Sequence, residues 1–266
     1  MPFMAGLFAA STAIAHELWL EPREYVVAPG ETVEADIRVG QEFKGPTYSY
    51  LKRNFRRFNV ESPGRLAAVR GRDGDSPAAQ VANAPEGLMV LVYETTDLDL
   101  KYSEFAKFEK FVTSKDLQGV LEAHRARNLP DAGFFEVYSR YAKSLVAVGN
   151  GAGSDRAFGL ETEIVALANP YTDDLTDGMP LKVLYQGAPR ADAQVEVFAK
   201  GPGLEVAVSV MRTDAAGEVR VPVTPGIAYQ IDAVVAREPS PDVSEANRGA
   251  VWETLWANLT FMVPEE

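Results

Sequence analysis

Residues 206–223 read VAVSVMRTDAAGEVRVPV, and two runs of alternating apolar and polar residues in this stretch predict β-structure. Alternation with a period of two is typical of strands that bury one face. Between the runs lies TDAAG at 213–217, in which Asp214 can accept hydrogen bonds from the turn backbone and Gly217 can adopt a positive φ. We therefore predict a β-hairpin here, which a β-branched residue at Gly217 should destabilise.

The C-terminal half of the chain continues this pattern. Further strands are predicted at 160–167, 181–185, 193–200, 229–235 and 254–263, and Gly and Pro residues mark the turns between them. About seven short strands at regular spacing are typical of an immunoglobulin-like or transthyretin-like β-sandwich.

The N-terminal half is also mostly β, but it contains a helical segment. Residues 33–39 alternate, whereas 87–95 are almost continuously apolar, which predicts a strand buried on both faces. Between 103 and 128, apolar residues recur at helical spacing and predict two helices, the second capped by Ser114. A third short helix is expected at 133–138, before a strand that ends at 148.

A Gly-rich stretch separates the two halves. Residues 149–154, GNGAGS, have no apolar periodicity and are typical of a linker, although a long hairpin loop has the same composition. We expect a mainly β protein of two β-sandwich domains, 16–150 with a short helical insertion and 155–266.

Composition excludes several classes of protein. The 266 residues include 26 Lys and Arg against 38 Asp and Glu, and the net charge of -12 argues against nucleic-acid binding because it repels phosphate backbones. The absence of cysteine excludes disulfides, zinc–thiolate sites and cysteine nucleophiles. No nucleotide-binding glycine motif, serine-hydrolase elbow or HExxH motif occurs, so we do not expect an enzyme, although two distant carboxylates could still form a glycosidase site.

The first fifteen residues have the features of a secretory signal peptide. Residues 1–15, MPFMAGLFAASTAIA, carry no charged side chain and end in Ala-Ile-Ala, with small residues at the positions that mark a cleavage site. A buried N-terminal segment is the alternative. We expect the signal peptide to direct export to the periplasm. Because no later stretch reaches the roughly 18 apolar residues that span a membrane, we expect the mature protein to be soluble.

Cleavage after Ala15 would make His16 the first residue of the mature chain. Its α-amine and imidazole together can chelate a transition metal. Cleavage after Ala13 would instead leave Ile14, Ala15 and His16 as a terminal tripeptide, which binds Cu(II) or Ni(II) in a square plane of nitrogen atoms. Without cleavage, His16 is an ordinary strand residue.

The chain has one other histidine. His124 falls on the apolar side of the second predicted helix, where a histidine is more often a hydrogen-bonded core residue than a ligand. We keep it as a candidate second metal ligand, with Glu17 as a weaker third. Two acidic groups lack the spacing of a calcium loop and are interpreted as solvated rims: Asp97, Asp99 and Glu104, and Asp173, Asp174 and Asp177.

Several segments together resemble a known family of exported bacterial proteins. They are AHELWLEP at 15–22, YSRYAKSLVAVG at 138–149, TDAAG at 213–217, and Trp252 with WANLTF at 256–261. In these segments the chain resembles the domain of unknown function 4198. Some members are similar to the periplasmic component of nickel and cobalt uptake systems, in which a histidine near the processed N-terminus is thought to hold the metal. The resemblance implies this role for His16.

These observations predict an exported binding or accessory protein that captures Ni(II), Co(II) or Cu(II) through His16, with His124 and Glu17 as candidate further ligands. The alternative is a cell-envelope interaction module that binds a partner protein or a glycan and no metal. A hydrolase built on distant carboxylates ranks third.

Overall fold

The computed structural model describes residues 16–203 and 205–265, and strands dominate it. The N-terminal half contains β1 (Glu17–Pro22), β2 (Val26–Val27), β3 (Val33–Gly40), β4 (Thr47–Tyr48), β5 (Phe55–Ser62), β6 (Arg65–Ala68), β7 (Ala79–Val81), β8 (Gly87–Thr95), β9 (Leu98–Tyr102) and β10 (Phe134–Val148). The C-terminal half contains β11 (Thr162–Ala166), β12 (Met179–Tyr185), β13 (Ala188–Pro189), β14 (Gln194–Lys200), β15 (Val206–Arg212), β16 (Glu218–Val221), β17 (Ala228–Arg237) and β18 (Trp252–Met262). The helices are α1 (Phe105–Ser114), α2 (Val120–Ala126) and α3 (Pro241–Ala246), with a 3-10 turn at Lys52–Asn54. The predicted mainly β class is confirmed.

A ten-stranded sheet joins the two halves of the chain. Its strand order is β15-β14-β17-β18-β10-β8-β5-β6, and β2 and β9 also pair with β10. At its centre β10 and β18 pair in parallel, from Glu136 opposite Trp252 to Ser144 opposite Thr260. Strands from both predicted domains therefore share one sheet, and the division at 149–154 stays a prediction.

Two smaller sheets cover opposite faces of this central sheet. One consists of β1, β3, β4 and β7, and the other of β11, β12, β13 and β16. Side chains along β8 alternate between the two resulting cores, Leu88, Val90 and Val92 in one and Met89, Leu91 and Tyr93 in the other. The prediction that β8 is buried on both faces is confirmed, and so is the β-sandwich architecture.

The two helices predicted at 103–128 are present, but their details differ from the prediction. Ser114 is the last residue of α1, and its hydroxyl donates to the carbonyl of Phe111 at 2.9 Å, so it does not cap α2. Gly119, with a φ of 76°, takes that position. The helix expected at 133–138 is wrong: Phe134 pairs with Tyr102 of β9, and this long-range pairing makes the segment a strand. None of the described helices is long and apolar enough to cross a membrane.

The turn at 213–217 has the predicted chemistry but a different role. Asp214 Oδ1 accepts hydrogen bonds from the amides of Ala216 at 2.8 Å and Glu218 at 2.9 Å, and Gly217 has a φ of 72°. A Cβ atom on Gly217 would lie 2.9 Å from the carbonyl oxygen of Val183, so a larger residue would clash as well as strain the backbone. The hairpin itself is wrong, because β15 pairs with β14 while β16 pairs with β12 in another sheet.

Candidate functional site

The start of β1 directs His16 and Glu17 to opposite sides of the chain. His16 and Leu18 line a cavity, whereas the Glu17 carboxylate is buried against Lys115. Successive side chains of an extended segment alternate in this way. The predicted ligands His16 and Glu17 therefore face different surroundings.

Arg140 of β10 anchors the backbone of His16. Its guanidinium donates to the His16 carbonyl oxygen from Nε at 3.0 Å and from Nη2 at 2.8 Å. Arg140 is buried, and this burial lowers the pKa of the guanidinium despite the opposing effect of Tyr138. The guanidinium carbon lies 4.6 Å from the centroid of the Tyr138 ring. His16 is thus held at a defined place, half-buried, between the start of β1 and Arg140 of β10.

The cavity beside His16 has a volume of about 310 Å³. Arg140 supplies a positive charge, and Tyr48, Tyr93 and Tyr138 supply aromatic walls. Asn54 and two hydroxyl residues add hydrogen-bonding groups. Among the described residues that line the cavity, none is an aspartate or a glutamate. The protein therefore offers a metal one imidazole here and a set of neutral oxygens.

Glu17 belongs to a buried ion cluster on the other side of β1. The ammonium of Lys115, at the end of α1, donates to Glu17 Oε1 at 2.9 Å, contacts Glu196 of β14, and lies 3.6 Å from Asp232 of β17. Within residues 16–203 and 205–265, these three carboxylates are the only group of three ligand residues close enough to hold one ion. The Lys115 ammonium already contacts all three, so the cluster holds an internal cation. We call these four residues the Lys115 cluster.

Burial controls protonation in the Lys115 cluster. Burial raises the pKa of Asp232 to about 8; Lys115 opposes the rise, and Glu17 and Glu196 add to it. The pKa of Lys115 is raised: burial acts to lower it, but the attraction of Asp232, Glu17 and Glu196 outweighs burial. Burial therefore favours the protonated form of Asp232, while Lys115 keeps its charge.

His124 lies in an aromatic core away from the cavity lining. Its Nδ1 accepts a hydrogen bond from Trp252 Nε1 at 3.0 Å, and its Nε2 lies 3.1 Å from the carbonyl oxygen of Pro130, to which it donates as the neutral tautomer. Its ring packs against Phe105 and Phe134. Both nitrogens are therefore engaged, and the structure does not bring His124, Glu17 and His16 together.

The acidic groups predicted to be rims are held by local partners. Asp97 pairs with Arg56 at 2.6 Å, Asp99 with Arg248 at 3.5 Å, and Glu104 with Lys107 at 3.1 Å. In the second group, Asp173 accepts from the amide of Asn169 and Asp174 from that of Thr176. These contacts agree with a structural role.

Sequence reasoning did not single out Arg140 or Lys115. Arg140 is a charged residue inside the otherwise mostly apolar run of β10, which is a usable signal of a buried functional or ionic role. Lys115 gave no such signal, because it follows an amphipathic helix at a position typical of solvent-exposed lysines.

A family model described as "Domain of unknown function (DUF4198)" matches residues 13–237. A comparison with curated proteins found no match.

Solved structures resemble the chain weakly. A tetra-tandem repeat in the extending region of a large adhesion protein is 8% identical, with a TM-score of 0.22, covering 93% of this chain and 49% of that one. The D0-D1 domain of Intimin is 12% identical, with a TM-score of 0.19, covering 92% and 97%. Alpha-2-macroglobulin from Escherichia coli, activated by porcine elastase, is 13% identical, with a TM-score of 0.22, covering 93% and 20%. The chain spans about half the length of the first of these structures.

Proposed function

Because the chain belongs to the domain of unknown function 4198 family, whose description names no activity, we propose a function from the molecule itself: an exported protein that captures Ni(II), Co(II) or Cu(II) at His16. The observation that carries the proposal is the position of His16. Two hydrogen bonds from Arg140 fix the backbone of His16, and His16 lines a cavity of about 310 Å³.

The described residues fit the metal only in part. His16 supplies an imidazole, which suits these three metals, but His124 and Glu17 are engaged elsewhere. Further nitrogen ligands would come from the N-terminus created by signal cleavage, either the amine of His16 or the amine and amides of a tripeptide that begins at Ile14. The proposal therefore depends on processing close to His16.

The processing register is the first thing to measure. Mass spectrometry of the exported protein gives its N-terminal residue directly. Three versions that begin at Ile14, Ala15 and His16 should then be titrated with Ni(II) and Cu(II) by calorimetry. We expect the version with the natural N-terminus to bind in a one-to-one complex, and the affinity to differ among the three because the amine moves relative to the imidazole.

The matched variants are His16→Ala and His124→Asn. We expect His16→Ala to lose at least about tenfold in metal affinity, since it removes the only cavity imidazole, with about 1.4 kcal/mol for each factor of ten. His124→Asn, checked for an unchanged circular dichroism spectrum, should bind as the wild type does. Equal affinity in wild type and His16→Ala rules out capture at this site.

A second candidate function is an envelope interaction module that binds no metal, and one observation favours it. Strand β15 is an edge of the central sheet, and its Val208 and Val210 are 48% and 57% exposed. An exposed apolar edge can accept a strand from a partner. Val210→Lys should then abolish recovery of an envelope partner in a pull-down, while His16→Ala recovers it normally.

A further inference from the structure

A second buried cluster places a lysine between two carboxylates. From its Nζ, Lys143 of β10 donates to Asp155 Oδ2 at 2.7 Å, to the carbonyl oxygen of Arg156 at 3.0 Å and to Glu163 Oε1 of β11 at 3.5 Å. The side chains of Lys143, Asp155 and Glu163 are at most 1% exposed. We call these three residues the Lys143 cluster, and bulk water is excluded from it.

We propose that Lys143 and Asp155 form an intramolecular isopeptide bond, with Glu163 carrying one proton from the amine to the leaving oxygen. The proposal stands on the contacts of the Lys143 cluster and is independent of metal capture. The reacting groups are already in contact, and holding two groups together in the right orientation accounts for a large part of a reaction barrier.

The two oxygens of Asp155 have different surroundings. Oδ2 accepts a hydrogen bond from the backbone amide of Ala166 at 2.9 Å, whereas Oδ1 is buried and has no hydrogen-bond partner among the described residues. Negative charge develops on the oxygen that remains when an amine attacks a carboxyl carbon. A fixed backbone N–H pointing at that oxygen stabilises the charge. The geometry therefore assigns Oδ2 as the oxygen that stays and Oδ1 as the one that leaves.

The reaction balances without a co-reactant. The Lys143 ammonium passes one proton to Glu163, and the freed lone pair of Nζ forms a bond to Cγ of Asp155. The bond between Cγ and Oδ1 then breaks, and Oδ1 leaves with the bonding electrons, the proton held by Glu163 and a second proton from Nζ. One water is released, one hydrogen stays on the amide nitrogen, and Glu163 returns to its carboxylate form.

Glu163 is fixed in place for this transfer. Its two carboxylate oxygens accept from the backbone amide of Phe158 at 2.8 and 3.0 Å. The Phe158 ring also covers the lysine, with its centroid 5.2 Å from Nζ. In such surroundings a buried ion pair is costly, and conversion to a neutral amide removes two buried charges. The same environment thus supplies a driving force for the bond.

The bond would close a loop around the Gly-rich stretch 149–154. It would tie the end of β10 to the beginning of the C-terminal half, in a chain that has no cysteine for a disulfide. A cross-link of this kind restricts the unfolded chain as a disulfide does, and it is insensitive to reducing agents.

Trypsin provides a direct test, because Lys143 and Asp155 both lie between the cleavage sites at Arg140 and Arg156. With the bond, cleavage after Lys143 is blocked, and the digest of the full protein should contain peptide 141–156, lighter than its linear sequence by one water. Without it, the digest yields linear 144–156. A digest with only the linear peptide overturns the proposal, and so does a loss of water that leaves Lys143 cleavable, as an aspartyl succinimide would.

Two variants test the chemistry. Asp155→Asn should form the same bond with release of ammonia, so that its peptide 141–156 has the same mass as that of the wild type. Glu163→Gln cannot accept the proton, and we expect cross-linking to slow about a hundredfold, within the range for loss of a general acid–base group. Folding of each variant is checked by circular dichroism. Wild-type cross-linking in folded Glu163→Gln overturns the role of Glu163.

Discussion

Two lysines are buried among carboxylates on opposite faces of the central sheet, and their partners differ. In the Lys143 cluster, backbone amides hold both carboxylates, that of Ala166 on Asp155 and that of Phe158 on Glu163. One ammonium faces two carboxylates there, and of their four oxygens only Asp155 Oδ1 is buried without a partner.

The Lys115 cluster has more charge and fewer donors. One ammonium faces three carboxylates, and Glu17 Oε2 and both oxygens of Asp232 have no hydrogen-bond partner among the described residues. Asn258, opposite Asp232 on β18, also has both polar side-chain atoms unpaired. Unpaired oxygens make the charged form of a carboxylate costly, so this cluster favours a proton on Asp232, and burial raises the pKa of Asp232 to about 8. The number of hydrogen-bond donors therefore distinguishes the two clusters. The Lys143 cluster is arranged for reaction, whereas the Lys115 cluster favours a protonated carboxyl group.

The largest expected effect is the loss of either lysine, and it should differ between the clusters. We expect Lys143→Met to lower the free energy of unfolding by about 3–5 kcal/mol, because the variant keeps two fully buried carboxylates without a counter-charge and cannot form the cross-link to Asp155. Lys115→Met at pH 6 should lower the free energy of unfolding by about half of that amount or less. Glu196 is partly exposed, and the acids of this cluster can take up protons. Urea unfolding of both variants measures the difference.

Equal losses in the two lysine variants would contradict this comparison. A Lys115→Met variant that is less stable than Lys143→Met at pH 6 would reverse it.

A smaller effect is expected from the proton on Asp232. Its pKa is raised from 3.8 to about 8, so between these values the folded protein binds a proton that the unfolded chain does not, and stability falls as pH rises. Asp232→Asn cannot titrate. The free energy of unfolding of the variant should therefore rise relative to that of the wild type by about 2 kcal/mol between pH 5 and pH 6.5, at about 1.4 kcal/mol for each pH unit.

Denaturant midpoints of wild type and Asp232→Asn at several pH values check this. A constant difference across the range would show that Asp232 is ionised in the folded protein.

The smallest effect is expected when one acid of each cluster is neutralised. Glu17→Gln should change stability by less than about 1 kcal/mol, because it relieves an excess of negative charge around Lys115. In protein that is not yet cross-linked, Glu163→Gln should lower the free energy of unfolding by about 1–2 kcal/mol, since it weakens two hydrogen bonds from Phe158 and removes a charge that pairs with the Lys143 ammonium. Thermal or urea unfolding measures the stability of both variants. A greater loss of stability in Glu17→Gln than in Glu163→Gln would contradict the difference between the clusters.

Local pattern was sufficient for much of the fold. The continuous apolar run of β8, the helical spacing of α1 and α2, and the turn chemistry of Asp214 and Gly217 all follow from short-range rules, and the structure confirms them. The prediction of a helix at 133–138 was wrong, because pairing of Phe134 with β9 overrides the local spacing of apolar residues. At the site, position in the sequence singled out His16 and the structure places it at a cavity, but Arg140, which fixes it, was found only from contacts.

The sequence by itself determined the strands at 33–39, at 87–95 and in most of the C-terminal half, and that His16 follows a candidate cleavage site, because these depend on neighbouring residues. Only the tertiary structure decided that β10 and β18 pair in parallel and that two lysines meet carboxylates from distant parts of the chain. Lys115 reaches Glu17, 98 residues away, and Glu196, 81 residues away. Such contacts depend on which of many similar strands pair, and that choice is made by the packing of the whole core rather than by any local pattern.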